Sequence, residues 1–393
     1  MDKRLIRLAV GSFAMSTVGF VFSSLLPAIA ADAGVSVPHA GYLITAFSLA
    51  YAIGAPVLSA LAGEIDRRRV LAAAMLAFVA GNVIAATSSS FSGLLAAQIL
   101  MGMSAGLFAA TAQATAVALA GPEHRARAIA VVVGGTTFAV ALGAPAGSLI
   151  ATMWGWRGTF VAIALLGVAC AAILWARLPH GMRGARLTLG ERFAAIGRPG
   201  ILPSLAVTFL YLTGGFAIIS YVAPLTTEGA GLPALAIPGM LLAFGVGAVV
   251  GNLASGYLAD RIGATRVVVL ALLTSAAVSV VIALILKFLP PAISGPALIA
   301  LMGLWGTIGW SFPPAQASRI VGFAPEVAHL TLSLNASALY FGIAAGTVVG
   351  GRVLEFATPS DLGLVAAVFP MLALAVLMAS SRSRRVAAAP AAE

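Results

Sequence analysis

The segment that decides the fold is GYLADRIGATR (Gly256–Arg266), a short charged stretch between the apolar runs 235–258 and 267–288. A partial copy, SALAGEIDRRR (Ser59–Arg69), lies 197 positions earlier and also separates two apolar runs. At the same offset Pro27 matches Pro224, and the basic residue that ends the first segment matches the one that ends the second. Shared charges as well as shared small residues predict that the two halves of the chain are copies of one unit.

The composition is that of a membrane protein. Of 393 residues, 61% are hydrophobic and 9% are charged, whereas soluble domains carry about 25% charged residues. The mean hydropathy of +1.06 excludes a soluble enzyme and a nucleic-acid-binding module. The single cysteine, Cys170, excludes a disulfide framework and a cysteine-based metal site.

Apolar runs recur along the whole chain, and each is long enough to cross a hydrocarbon core about 30 Å thick. We predict an all-α membrane protein with twelve transmembrane helices, at 8–30, 40–62, 70–88, 91–119, 128–152, 157–177, 201–223, 235–258, 267–288, 296–318, 328–352 and 362–380. The only long polar connection divides six spans from six. This predicts two pseudo-symmetric six-helix bundles, in 1–177 and 201–393, with a cytoplasmic linker in 178–200 and a short cytoplasmic tail.

The basic residues indicate the orientation. Of the 22 lysines and arginines, three (Arg157, Lys287 and Arg352) fall in the loops of one side, and all the others fall on the side of the termini. Because loops rich in Lys and Arg stay in the cytoplasm, both termini are predicted to be cytoplasmic, in a bacterial inner membrane. The same bias explains the pI of about 10.8 without a nucleic-acid partner.

The duplicated loop, the twelve spans and the string Val140-Ala141-Leu142-Gly143-Ala144-Pro145-Ala146-Gly147 resemble the major facilitator superfamily. The resemblance is closest to the twelve-span drug:proton antiporters, a branch that includes sugar and purine-nucleoside exporters and chloramphenicol-resistance pumps. It implies alternating access to a site between the two halves. The first loop departs from the family pattern, because Gly63 stands where an aspartate is usual.

The resemblance implies that these loops place charged side chains at a cytoplasmic gate. We predict two clusters, one of Arg69 with Glu123 and one of Asp260, Arg266 and Glu326. Such partly solvated pairs contribute about 1 kcal/mol each, which is enough to bias two conformers. The alternative is that the arginines of the first loop only satisfy the positive-inside bias.

Glycines spaced four apart let helices approach closely. We predict a dry seam between helices five and eight that prevents proton leakage, built from Gly143, Pro145, Gly147, Gly247 and Gly251. The proline bends its helix and frees a carbonyl. The alternative is the ordinary packing of small residues in a membrane bundle.

All twelve acidic residues and all 22 basic ones fall in loops or at helix ends, so the predicted cavity bears no formal charge. A cationic drug would need a counter-charge there, whereas a neutral solute needs hydrogen bonds and aromatic faces. The candidate binding residues are Gln98, Gln113, Tyr211, Trp305, Trp310, Asn335 and Tyr340. For each of them, helix packing is the alternative role.

The sequence therefore predicts a secondary exporter of a neutral drug-like or metabolite solute, of the amphenicol, nucleoside or sugar type. It is predicted to be a monomer that uses proton antiport, with Asp32 as the proton-coupling candidate. The alternatives are a facilitator or importer with the same fold, and a membrane receptor or scaffold without transport. No paired acids, histidine cluster or phosphate-binding loop lies at membrane depth, so neither an enzyme nor a cofactor is expected.

Overall fold

The computed structural model describes residues 3–120, 124–183, 190 and 195–388. In the first half, the helices are α1 (Lys3–Ala33), α2 (Tyr42–Leu61), α3 (Arg67–Thr87), α4 (Phe91–Ala120), α5 (125–153) and α6 (156–177). In the second half they are α7 (Ile201–Ile219), α8 (Ile237–Ile262), α9 (Ala264–Phe288), α10 (Pro291–Val321), α11 (Ala328–Phe356) and α12 (Leu362–Ala388).

Helices α5 and α6 form one nearly continuous element that is broken at Trp154 and Gly155. Gly155 has φ 73° and ψ 166°, a backbone conformation that only glycine adopts without strain. The apolar stretch Arg127–Arg177 is 51 residues long, or about 75 Å as one straight helix, which is more than twice the bilayer core. The break therefore turns the chain back. Of the eleven apolar helices long enough to span a membrane within the described residues, this one crosses twice.

Twelve crossings confirm the predicted fold class and place both termini on one side of the molecule. We call this side the terminal face and the other side, with the loops around residues 34–41, 88–90, 154–155, 220–236, 289–290 and 357–361, the distal face. Within the segment 256–266, Gly263 has a φ of 88°, which permits the sharp turn between α8 and α9.

The helices pack as two groups. In the first half α4 lies against α2 and α3, and α6 lies against α3 and α1; in the second half α10 lies against α8 and α9, and α7 lies against α11 and α12. The halves meet along two helix pairs, α2 with α11 and α5 with α8, and where α1 contacts the segment Val222–Pro224 after α7. These contacts enclose a space between the halves.

A polar cluster holds the start of the linker on the terminal face. Asp66 caps α3 by accepting hydrogen bonds from the Arg68 amide (3.1 Å) and the Gly181 amide (3.0 Å). The buried Arg68 guanidinium lies 3.1 Å from Nδ1 of His180 and 4.5 Å from the centre of the Trp175 ring. Partial desolvation raises the pKa of Asp66, but the two amide donors and the nearby positive charges of His180 and Arg69 outweigh it and lower the pKa.

Candidate functional site: a charge-free cavity between the two halves

A cavity of about 290 Å³ lies between the two halves, at the small end of the range for ligand pockets. Residues of α1, α2, α4 and α5 line it on one side, and residues of α7 to α11 line it on the other. Six of the seven candidate binding residues are in its wall: Gln98, Gln113, Tyr211, Trp305, Trp310 and Tyr340. Their role in binding stays a prediction.

None of the described residues that line the cavity is an aspartate, glutamate, lysine, arginine or histidine. The polar groups are hydroxyls and amides, which the first half supplies with Gln98, Gln113 and the hydrogen-bonded pair Ser16 and Thr136 (3.0 Å). A wall of this kind can hydrogen-bond a solute, but it offers no counter-charge to an ion.

Aromatic side chains from both halves meet in the cavity. The Tyr51 and Tyr340 rings, from α2 and α11, stack across the halves with centroids 3.5 Å apart. The ring centroid of Phe20 in α1 lies 6.1 Å from that of Trp310 and 6.4 Å from that of Phe216. Planar apolar surface is therefore the main feature of the cavity wall.

Two wall residues carry buried polar atoms. Nε1 of Trp305, whose residue is 4% exposed, has no hydrogen-bond partner among the described residues, and the hydroxyl of Tyr211, whose residue is 6% exposed, faces the Ser275 side chain. The Tyr211 ring stacks on Phe312 at 3.9 Å, inside the second half.

Asn335 does not line the cavity, so the structure corrects its proposed position. Its Oδ1 accepts a hydrogen bond from the Thr208 hydroxyl (2.7 Å), to which Gln316 also donates (3.2 Å). Gln316 in turn accepts from the buried Arg319 guanidinium (2.9 Å). Asn335 therefore connects α11 to α7. The spacing of residues along a helix could not show that this face of α11 lies against α7.

Of the two predicted charge clusters on the terminal face, the one of Asp260, Arg266 and Glu326 is corrected, and the pairing of Arg69 with Glu123 stays a prediction. Glu326 forms its ion pair with Arg198, because the linker brings this arginine to the start of α11. Asp260 and Arg266 are exposed and do not pair with each other. Arg69 is exposed, and its charge helps to lower the pKa of Asp66. Glu123 lies outside the described residues.

Helices α5 and α8 do pack against each other, but other residues than the predicted ones form the contact. A Cβ on Gly245 would overlap with Ala141 of α5, and Asn252 donates to Thr137 across the same pair of helices (3.2 Å). At Gly245 the two helices are therefore too close for a side chain, and the role of this contact as a barrier to protons stays a prediction.

The glycines that were assigned to the seam face inward within their own halves. In α5, a Cβ on Gly143 would overlap with Thr17 of α1, and one on Gly147 would overlap with Val21 of α1. In α8, a Cβ on Gly247 or Gly251 would overlap with the backbone of α10. Pro145 follows a π-helical turn at Ala139–Gly143, as expected where a proline lacks its amide donor. Sequence spacing identified close-packing positions but not their partners.

Asp32 lies at the end of α1 on the distal face and does not line the cavity. Its carboxylate pairs with Arg157 at 2.6 Å, and the same arginine donates to the Ser88 carbonyl (3.0 Å). Its part in proton coupling stays a prediction.

A close contact between the halves on the distal face was not predicted. The buried Tyr221 donates to the Thr347 carbonyl (2.9 Å). Its hydroxyl also lies so close to Gly41 of the first half that a Cβ there would overlap with it. The sequence gives no signal for this contact, since Gly41 is one of 43 glycines.

A twelve-span bundle of two six-helix halves around a central cavity defines the class of secondary membrane transport proteins. The family model of the Major Facilitator Superfamily matches residues 8–347, and the chain belongs to this family. Its membership confirms that the protein is a multi-pass membrane transporter and not an enzyme.

Curated relatives match over nearly their full length. The chain is 32% identical to the uncharacterised MFS-type transporter YbcL of Bacillus subtilis over 367 residues (93% of each chain). It is 32% identical to the inner membrane transport protein YdhP of Escherichia coli K12 (97% of this chain and 96% of that one). It is 33% identical to a chloramphenicol resistance protein of Streptomyces lividans (96% of each).

A solved structure supports the fold. The human organic anion transporter MFSD10 (TETRAN) superposes with a TM-score of 0.72, over 95% of this chain and 99% of that one, at 18% identity. At this identity the likeness shows the fold alone.

Proposed function

We propose that the protein exports a neutral drug-like or metabolite solute, such as an amphenicol, from bacteria by proton antiport. The observation that carries the proposal is the uncharged, aromatic wall of the cavity. The similarity to a chloramphenicol resistance protein supports an amphenicol as the first solute to test.

The orientation follows from charge. The terminal face carries most of the arginines, and the positive-inside rule places it in the cytoplasm. The relative named as an inner membrane protein supports the same membrane. We propose that the chain works there as a monomer, with one cavity per chain.

Proton antiport supplies enough energy for useful export. One proton moving down a potential of 100 mV releases about 2.3 kcal/mol, which supports a solute gradient of roughly 50-fold at 1.4 kcal/mol per factor of ten. Because no described lining residue is an acid or a histidine, the proton must bind outside the cavity. Asp32 is the candidate, since release from Arg157 would expose its carboxylate to the distal side.

The test is chloramphenicol flux in proteoliposomes with an imposed pH gradient. Export predicts concentrative flux that follows the gradient and stops when an ionophore collapses it. Saturable flux that is independent of both the pH gradient and the membrane potential would identify the protein as a facilitator. The absence of flux for a panel of amphenicols, nucleosides and sugars would remove the proposed assignment as an exporter of such solutes.

Asp32→Asn tests the coupling residue in the same vesicles. If Asp32 carries the proton, the variant exchanges solute at equilibrium but no longer concentrates it. Gradient-driven flux equal to that of the unchanged chain would assign coupling to another group. Glu228→Asn is the matched control, because this acid lies at the corresponding distal end of the second half.

A further inference from the structure

The stacked pair Tyr51 and Tyr340 joins the two halves inside the cavity. The rings are nearly parallel, with an interplanar angle of 17° and centroids 3.5 Å apart, and both are partly exposed and line the cavity. Each aromatic face is electron-rich, so a direct face-to-face pair of phenol rings is the least favoured of the aromatic geometries. The pair is therefore held together by the hydrogen bond between the two hydroxyls and by its surroundings.

The surroundings that hold it are identifiable. The Ser337 hydroxyl of α11 donates to the Ala52 carbonyl of α2 at 2.9 Å, one residue from Tyr51 and three from Tyr340. This hydrogen bond joins the two halves, as the ring pair does. The contact between α2 and α11 that positions the two rings must therefore change when the halves move.

We propose that Tyr51 and Tyr340 form an aromatic clamp that takes a planar, electron-poor ring of a neutral solute between their faces. The inference rests on the proposed function only for the existence of a transported solute. An electron-withdrawing substituent depletes the face of the solute ring, so contacts that are unfavourable between two phenols become favourable on both sides of it. The substrate class is a neutral aromatic compound with such a substituent.

The clamp links binding to movement of the halves. A ring inserted between the tyrosines separates their centroids to about 7 Å, twice the stacking distance. Because one tyrosine belongs to each half, this insertion must displace α2 relative to α11. A solute that binds the separated arrangement better than the stacked one shifts the conformational equilibrium by that difference.

The second stacked pair shows why this site is distinctive. Tyr211 and Phe312 also stack, at 3.9 Å and 20°, but both belong to the second half and Phe312 is fully buried in a core cluster. A solute cannot enter between them without unpacking that half.

The first experiment detects ring insertion without transport. The purified chain carries 3-fluorotyrosine at its six tyrosines, and each ¹⁹F resonance is assigned by a Tyr→Phe variant. On addition of 4-nitrobenzyl alcohol, the Tyr51 and Tyr340 resonances should both shift, because the solute ring replaces the neighbouring tyrosine as the ring stacked on each face. The resonance of Tyr257, which is exposed on the terminal face, should not move.

The second experiment measures the order of affinity. Dissociation constants should increase from 4-nitrobenzyl alcohol through benzyl alcohol and 4-methoxybenzyl alcohol to cyclohexylmethanol. Tyr51→Leu and Tyr340→Leu should each weaken the binding of the nitro compound about tenfold, the value of a good aromatic contact. Tyr51→Phe and Tyr340→Phe keep the ring and should bind nearly as the unchanged chain does, and Tyr42→Leu, outside the cavity, is the matched control.

The outcomes separate the clamp from the transport assignment. Chloramphenicol flux without any shift at Tyr51 and Tyr340, or a flat or reversed order of affinity, overturns the clamp and leaves export standing. The predicted shifts without flux support the clamp and overturn export. If the leucine variants do not fold, the resonance shifts and the affinity order of the unchanged chain still decide.

Discussion

At the scale of single residues, the buried tyrosines differ in how their hydroxyls are satisfied. Tyr211 and Tyr221 are both buried in α7 or just after it, at 6% and 1% exposure. The Tyr221 hydroxyl donates to a carbonyl at 2.9 Å, whereas the Tyr211 hydroxyl faces the Ser275 side chain without so well-formed a hydrogen bond. A hydrogen bond contributes about 0.5–1.5 kcal/mol, so loss of the hydroxyl should cost more at Tyr221 than at Tyr211.

Tyr211→Phe should change the unfolding midpoint in detergent little, since it keeps the ring on Phe312. Tyr221→Phe should lower the midpoint, because it removes the hydrogen bond between the Tyr221 hydroxyl and the Thr347 carbonyl. Thermal unfolding of the two variants side by side measures this. A drop for Tyr211→Phe as large as that for Tyr221→Phe would show that the two hydroxyls are equally well hydrogen-bonded.

Part of the cavity wall was predictable from the sequence, residue by residue. Polar and aromatic residue types in apolar spans identified six cavity residues, because such groups are rarely placed in a membrane without a use. The same reasoning failed for Asn335, since a buried amide satisfied by Thr208 has the same sequence signature as one that faces a cavity. Tyr51 was visible as an aromatic residue, but its stacking partner depends on the register between α2 and α11.

At the scale of helices, α8 packs directly against the backbone of α5 where Gly245 meets Ala141. Glycine spacing indicates that a helix packs closely but does not reveal which neighbour it contacts. The stripe in α5 was therefore assigned to α8 when it packs against α1. Which face a helix turns to each neighbour depends on the bundle as a whole, which no single helix encodes.

Gly245→Leu should abolish transport, because a side chain there cannot fit against the α5 backbone and the two halves are forced apart along this seam. The measurement is chloramphenicol flux in proteoliposomes at matched protein content. Gly239→Leu on the same helix is the control, since nothing lies within 4 Å of a Cβ at that position. Full flux in Gly245→Leu would show that close approach of α5 and α8 is dispensable.

The cap of α3 makes a pH-dependent contribution to stability. The pKa of Asp66 is lowered in the folded chain, so its stabilising effect is present above the unfolded pKa and is lost as pH falls through the folded one. The unfolding midpoint should therefore begin to fall as the pH drops below about 4, the unfolded pKa of an aspartate, and continue to fall through the folded pKa. Asp66→Ala removes the cap, so it should lose about 1 kcal/mol at neutral pH and show a weaker dependence over this interval. An equal slope for both chains would mean that Asp66 contributes nothing to it.

At the scale of the whole molecule, the halves touch on the distal face through Gly41 and Tyr221. Alternating access requires this contact to form and break. The twelve spans were predictable because hydropathy is a local property, whereas this contact depends on how the two halves are arranged.

Gly41→Leu should hold the distal ends apart, because a side chain there overlaps with the Tyr221 hydroxyl. The reporter is Ile343→Cys, which lines the cavity, in a chain that also carries Cys170→Ala. A membrane-impermeant maleimide applied from the distal side should label Gly41→Leu faster than the unchanged background. Gly239→Leu should label at the background rate, and equal labelling of Gly41→Leu would show that the contact does not close the distal side.

The central claim is that the path between the halves bears no formal charge and therefore accepts neutral solutes. The most direct measurement compares saturable flux of neutral chloramphenicol and of permanently cationic ethidium in the same proteoliposomes. The account predicts saturable flux of chloramphenicol and none of ethidium. Tight, saturable transport of ethidium would contradict it.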